Sequence, residues 1–288
     1  MVGLFQLLGR LPLPLLQAAG AVLGCAVFVL SGAYRRKVLA NLAAAGLPHT
    51  LAWSCAAHAG RMVGELPWIW FRPRDQILAR VFCDDLSAYE AAERAGRGVL
   101  LMTPHLGCFE VSARHYASRA PITVLFRPPR QAVLAPLYAA ARNQDAMRSE
   151  PANLSGVRAL MRALRRGEAV GLLPDQAPGQ GEGRWSPFFG RPAYTMTLPG
   201  RLAQSSGAAV VLVACERLPR GRGWRLHLVP MAEVPEPDAL NRALERLILR
   251  WPEQYLWGYN RYKRPAGAEA PPADGSPDTA ASAGGDPR

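Results

Sequence analysis

Three short apolar runs, each breaking off at a polar residue, constrain this chain most. Gly98 to Thr103, Pro121 to Phe126 and Ala169 to Leu173 have the length and composition of buried strands. They run into His105, Arg127 and Asp175 respectively. Between them lie stretches of helical character: 86–95 before the first run, a segment from near Cys108 after it, and Ser155 to Arg166 before the third. Strands alternating with helices give an α/β fold, and open α/β sheets form their sites outside the carboxyl ends of strands. His105, Arg127 and Asp175 are therefore candidate site residues.

The first turn is the most informative. Proline at 104 cannot donate to a ladder and biases Thr103 toward extended backbone, so the strand stops there. His105 falls on the turn, Gly107 permits a tight backbone, and Glu110 enters the first turn of the next helix. An imidazole with a carboxylate five residues on fits a general base and the group that orients it. The same spacing also fits a turn histidine and an acid favourable to a helix N-terminus.

The other elements are a helix from Ser155, as N-cap, with Val157, Leu160, Met161 and Leu164 on one side; a hairpin from Ala209 to Cys215 and Trp224 to Val229 around Gly221-Arg-Gly223; and a last helix from Asp238 to about Arg250. Arg158, Arg162, Arg165 and Arg166 line the other side of the Ser155 helix, as a solvated face or a docking stripe for an acidic partner. The glycine loop 179–183 lacks the Gly-Lys-Ser/Thr ending of a phosphate-binding loop, which excludes nucleotide binding by that route. Pro187-Phe-Phe-Gly190 precedes Thr195 and a helix through Leu202.

Between Arg10 and Arg35 no residue is charged. A helix from Pro14 to Tyr34 would be about 31 Å long, the thickness of a hydrocarbon core. A signal peptide fits less well, since no Ala-x-Ala site precedes Arg35. Arg35-Arg36-Lys37 places the remainder of the chain on the cytoplasmic side of the membrane. Residues 1–34 are thus read as a membrane anchor, spanning or lying in the interface. Residues 35–66 form two helices broken near Gly46-Leu47-Pro48, and the aromatic cluster 67–71 suits either a membrane interface or the core.

The main domain covers 35–264. Beyond it, the Pro/Ala/Gly/Asp composition of 265–288 cannot build a core, and this tail is expected to be disordered. The 34 basic and 22 acidic residues include one base and four acids beyond Pro265, leaving 33 and 18, a net +15, before it. Such a surface suits anionic partners. No helix-turn-helix or zinc module accompanies the charge, so nucleic acid is excluded as a partner. Cysteines 25, 55, 83, 108 and 215 contain no Cys-x-x-Cys, so neither a disulfide framework nor a metal site is expected.

His105-Leu-Gly-Cys-Phe-Glu110 resembles the His-x4-acid motif of the lysophospholipid acyltransferase superfamily. More narrowly, it is similar to the lipid A late acyltransferases, whose usual form is closer to His-Phe-Gly-Asn-Trp-Glu. Arg127-Pro128, Arg165-Arg-Gly-Glu168, Leu173-Pro-Asp-Gln176, Pro187 to Thr195, Pro252 to Trp257 and Arg261-Tyr-Lys263 come next in matching order. Cys108 and Phe109 depart from the usual Asn and Trp. Pro174-Asp175-Gln176 stands where the glycerol-phosphate branch has Pro-Glu-Gly-Thr-Arg, which argues against that branch.

The resemblance implies an α/β sandwich with a mixed central sheet flanked by helices. It implies transfer of a fatty acyl group from acyl carrier protein to a hydroxyl of a lipid acceptor, a lipid A precursor. His105 would be the base and Glu110 its orienter. Amides near Gly107 and at the following helix N-terminus would form the oxyanion site, Arg127 would hold a phosphate or the oxyanion, and Asp175 with Gln176 would order the substrate site. The arginine stripe would dock acyl carrier protein. No cofactor is implied, because the acyl group arrives on the carrier's own phosphopantetheine. The alternatives are a lysophospholipid or other glycolipid or aminolipid acceptor, or a non-catalytic membrane-anchored lipid-binding protein.

Overall fold

The structure is a computed structural model that describes residues 2–126, 136–138 and 146–272. Strands β1 (Val81–Phe82), β2 (Val99–Met102), β3 (Ile122–Phe126), β4 (Met147–Pro151), β5 (Ala169–Leu172), β8 (Ala209–Arg217) and β9 (Trp224–Met231) form one sheet in the order β1-β9-β8-β2-β5-β3-β4. Neighbours are parallel except the β8–β9 hairpin, so the sheet is mixed as expected. β6 (Gly183–Phe188) and β7 (Arg191–Met196) pair separately as an antiparallel hairpin. The sequence alone does not reveal that hairpin, whose two-residue turn holds Phe189 and Gly190 at φ 47° and 71°.

All four residues of β2 are buried, as in a strand covered on both faces. Alternation sends Leu100 and Met102 to one face, with α9 (Leu154–Arg165), α10 (Leu198–Ser206) and α11 (Pro237–Ile248). Val99 and Leu101 face the other side, with α5 (Leu66–Phe71), α6 (Arg74–Leu78), α7 (Ser87–Arg94) and α8 (Phe109–Tyr116). The result is a three-layer sandwich. Register then decides the site: Met102 pairs with Leu172, so residues three beyond each, His105 and Asp175, leave the same sheet edge together.

Local details differ from the sequence reading. Asn153, not Ser155, caps α9, because its side-chain oxygen accepts the Gly156 N–H at 3.1 Å. The aromatic cluster 67–71 lies in α5, with Trp68, Ile69 and Trp70 buried in the core. The N-terminal apolar segment divides into α1 (Val2–Gly9) and α2 (Leu13–Leu30), and α2 stops short of Tyr34. Ser31 caps α3 (Gly32–Ala44), and Arg35 donates to the Val29 carbonyl at 3.0 Å at the end of α2. The glycine loop is tied down, with Gly179 N–H on Glu182 and Gly181 N–H on the Tyr194 hydroxyl. Pro265 to Pro272 returns to β6, where the Trp185 indole N–H donates to the Glu269 carbonyl at 3.1 Å. Residues 273–288 lie outside the described residues.

Candidate active site

The strand-exit turn after β2 is fixed on three sides. Thr103 N–H donates to the Leu172 carbonyl and its hydroxyl to the Val213 carbonyl. Gly107 takes φ +61°, and a Cβ there would collide with the Cys215 carbonyl. That position requires glycine. Leu256 N–H donates to the His105 carbonyl, which ties the turn to the C-terminal segment.

This anchoring corrects one expectation. Gly107 N–H donates to the Gln254 carbonyl at 3.0 Å and Cys108 N–H to the Cys215 carbonyl at 2.8 Å. Both amides are consumed in bridging the turn to its neighbours, so the Gly107 region holds the turn and its amides are not open to an oxyanion.

The carboxylate hydrogen-bonded to the imidazole is not the one that spacing suggests. His105 Nδ1 lies 2.9 Å from Asp175 Oδ1, and Asp175 Oδ2 accepts the His105 backbone N–H at 3.0 Å. One carboxylate thus fixes both ring and main chain. Glu110 instead accepts the Trp70 indole N–H at 3.3 Å. It sits on α8 while Asp175 lies across the β2–β5 register, so the carboxylate bonded to Nδ1 is Asp175 and not the residue five positions on. Asp175 is buried. Desolvation pushes its pKa up, but the His105 charge and hydrogen bonds outweigh this and hold it below the usual range. Burial likewise pushes His105 down, and Asp175, with a smaller contribution from Glu110, reverses this and raises it above its ordinary 6.5. Gln176 Nε2 is 3.2 Å from His105 Nε2. With Nδ1–H on the carboxylate, Nε2 carries the lone pair and accepts from that amide.

Behind the turn lies a cluster that sequence reasoning missed. Arg217 donates to both carboxylate oxygens of Glu65 and, at 3.0 Å, to the Gly107 carbonyl. Gln17 of α2 and the Trp224 indole also donate to Glu65. His58 lies 3.1 Å from Arg217. Burial and then that guanidinium push its pKa down to about 3, so it is neutral. Glu65 and Arg217 are 152 positions apart in sequence, so no local pattern announces the pair. Cys108 is buried. Desolvation and then the Glu65 charge push its thiol well up, which makes it a packing residue and not a thiolate.

A narrow, mostly apolar cleft, open to solvent, runs beside the site between α8 and the sheet. Thr103, Phe109 and Glu110 line it near His105, and Ile122 and Met147 line it at the start of β3 and β4. Gly171 forms part of its wall inside buried β5, where a Cβ would come 2.9 Å from Val124 Cγ1. A glycine in a strand interior marks close approach of a ligand or another backbone.

Arg158, Arg162 and Arg165 are exposed along α9, whereas Arg166 is ion-paired with Glu168 at 2.7 Å. Arg127 lies outside the described residues. Among the described residues no cluster of metal-ligating side chains occurs.

Comparison with known proteins agrees with this architecture. The model of the bacterial lipid A biosynthesis acyltransferase family matches residues 1–264. The lipid A biosynthesis palmitoleoyltransferase of Escherichia coli (strain K12) is 29% identical over 218 residues, covering 72% of this chain and 70% of the relative. The lauroyltransferase of the same organism is 29% identical over 214 residues, covering 70% and 69%. A lipid A biosynthesis acyltransferase of Haemophilus influenzae is 26% identical over 180 residues, covering 60% and 56%. A family match of that extent, over a sandwich with a His–Asp pair beside an apolar cleft, shows that this chain is an acyltransferase belonging to the bacterial lipid A biosynthesis acyltransferase family.

Proposed function

We propose that this enzyme moves a fatty acyl group from acyl carrier protein to a hydroxyl of a lipid A precursor at the cytoplasmic face of the inner membrane. The observation that carries the reading is the His105–Asp175 pair, with Gln176 on the remaining ring nitrogen, beside an apolar cleft. His105 Nε2 takes the proton of the acceptor hydroxyl as its oxygen attacks the thioester carbonyl carbon. Asp175 holds the tautomer and stabilises the imidazolium. The Gln176 amide, which occupies Nε2 in the resting site, gives way to the acceptor hydroxyl and then donates to the developing oxyanion. Collapse of the adduct breaks the carbon–sulfur bond, and the imidazolium returns its proton to the departing thiolate of phosphopantetheine. No acyl-enzyme and no further cofactor are required, because the thioester is already activated. Glu110 is the second carboxylate of the site and adds to the field that favours the imidazolium. Arg158, Arg162 and Arg165 offer the acidic carrier protein a cationic face.

The test is an assay of purified, detergent-solubilised protein with acyl carrier protein bearing a range of acyl chains, and with a lipid A precursor or a lysophospholipid as acceptor. Product with the lipid A precursor supports the proposal. Product with the lysophospholipid alone transfers the mechanism to another acceptor, and no product with either removes the catalytic reading.

Only the neutral ring accepts a proton, so the rate is expected to fall as pH drops through the raised pKa of His105. The acidic limb of kcat/KM then lies above 6.5 and moves down in Asp175→Asn. The cleft also predicts chain-length control, since a side chain at 171 must displace Val124, which lines the cleft beside it. Gly171→Leu is expected to shift preference toward shorter acyl chains. Each methylene no longer accommodated costs about 0.8 kcal/mol, about a fourfold loss in kcat/KM. An unchanged chain-length profile would remove this cleft as the acyl site.

A further inference from the structure

α2 is long and apolar enough to cross a membrane, yet it does not stand clear of the protein. It lies antiparallel along α4 (Ala52–Gly64), backbone against backbone. Gly64 meets the Leu16 carbonyl, Gly20 meets Gly60, and Gly24 meets the Ala56 carbonyl, each with no room for a Cβ. Small residues four apart on both helices permit this approach. Leu13, Leu16, Gln17 and Phe28 of the same side are buried, and Gln17 reaches Glu65 in the interior. The catalytic domain therefore accompanies α2 over nearly its whole length.

The opposite side of α2 has no partner among the described residues. Leu15, Val22 and Val29, spaced by seven, share it with Leu23 and Leu30, and Leu30 is 85% exposed. Leu4, Leu7 and Leu11 continue the exposed apolar surface through α1, and Trp53 adds to it from α4. Of the fifteen exposed large apolar side chains among the described residues, eleven lie between Leu4 and Val63. Soluble monomers rarely leave apolar patches of that extent uncovered. The charge of this region selects the cover. Residues 1–64 contain Arg10, Arg35, Arg36, Lys37 and Arg61 and no acid. An apolar helix face accompanied by bases and free of acids fits the boundary between anionic headgroups and acyl chains.

We infer that α1 and α2 lie flat on an anionic lipid bilayer, with the α1–α2 apolar face embedded in one leaflet, and that α2 does not cross the membrane. This orientation brings lipid close to the chemistry. Phe5 of α1 stacks on Trp70 at 6.2 Å, and the Trp70 indole holds Glu110 at the mouth of the cleft. Seating on the bilayer is independent of the acyl-transfer reading, and its test reads binding and topology without turnover.

The test uses the full chain. A protease-cleavable tag ahead of Met1 is expected to be cut in sealed membrane vesicles from the same face on which the catalytic domain is digested. Protection of the tag from that face would mean that α2 spans, and would overturn the proposal. In flotation, the chain is expected to bind vesicles of phosphatidylcholine with phosphatidylglycerol more strongly than phosphatidylcholine alone. Val22→Glu is expected to lower the bound fraction about tenfold, and Arg36→Glu by about fivefold or more. Val22→Ala, with circular dichroism on all variants, separates lost binding from lost folding. Flotation indifferent to both charge substitutions, together with a concentration-dependent dimer, would assign the face to a second copy of the chain and overturn the proposal equally.

Discussion

Alanine at position 105 is expected to lower the rate of acyl transfer by about 10²–10⁴ while leaving the melting transition in place, since positioned general-base catalysis contributes on that order. The more discriminating comparison is between the two carboxylates. Asp175→Asn removes the charge on Nδ1 and presents the ring with an amide that can favour the wrong tautomer. In serine-protease triads the equivalent change costs about 10⁴ in kcat, so a loss approaching that of His105→Ala is expected. Glu110→Gln leaves the Asp175 pair and the Trp70 contact possible and is expected to cost less than Asp175→Asn. kcat and KM for the three variants, measured with acyl carrier protein donors and a lipid A precursor, decide the assignment. If Glu110→Gln matched His105→Ala while Asp175→Asn kept most of its activity, Glu110 would be the orienter in the working enzyme.

Glu65→Ala is expected to destabilise the fold by about 3–5 kcal/mol, because it strands the buried Arg217 charge without its counter-ion. For a domain of this size that corresponds to a fall in melting midpoint of about 5–10 °C. Trp224 and Gln17 lose their acceptor in the same change. The consequence extends to the site, because Arg217 also holds the Gly107 carbonyl in the turn that carries His105. Activity at a temperature where the variant is still folded is therefore expected to fall as well. A core substitution of equal cost far from the turn, such as Leu244→Ala in α11, provides the control. A melting midpoint in Glu65→Ala within a degree or two of the parent would show that the pair contributes little.

Local physics makes part of this protein legible in its residues alone. β2, β3 and β5 are legible because a short apolar run that ends at proline or a polar residue has few other uses. The β8–β9 hairpin is legible from its glycine turn, and α9 from its 3.6-residue periodicity. His105, Asp175 and Gln176 are legible as candidates because each comes just after such a strand. The β6–β7 hairpin is not, since Phe189 adopts a positive φ that its residue type does not advertise. The pairing inside the site is not legible either. Spacing favours Glu110 as the partner of His105, because the two are five residues apart. The β2–β5 register instead brings Asp175, 70 positions away, onto the ring. The same holds for Glu65 with Arg217, and for the face of α2 that α4 covers. Local patterns dictate which groups leave a strand end or line a helix. Which of them meet is decided by strand order, register and close packing between distant segments, and those contacts form only in the folded chain.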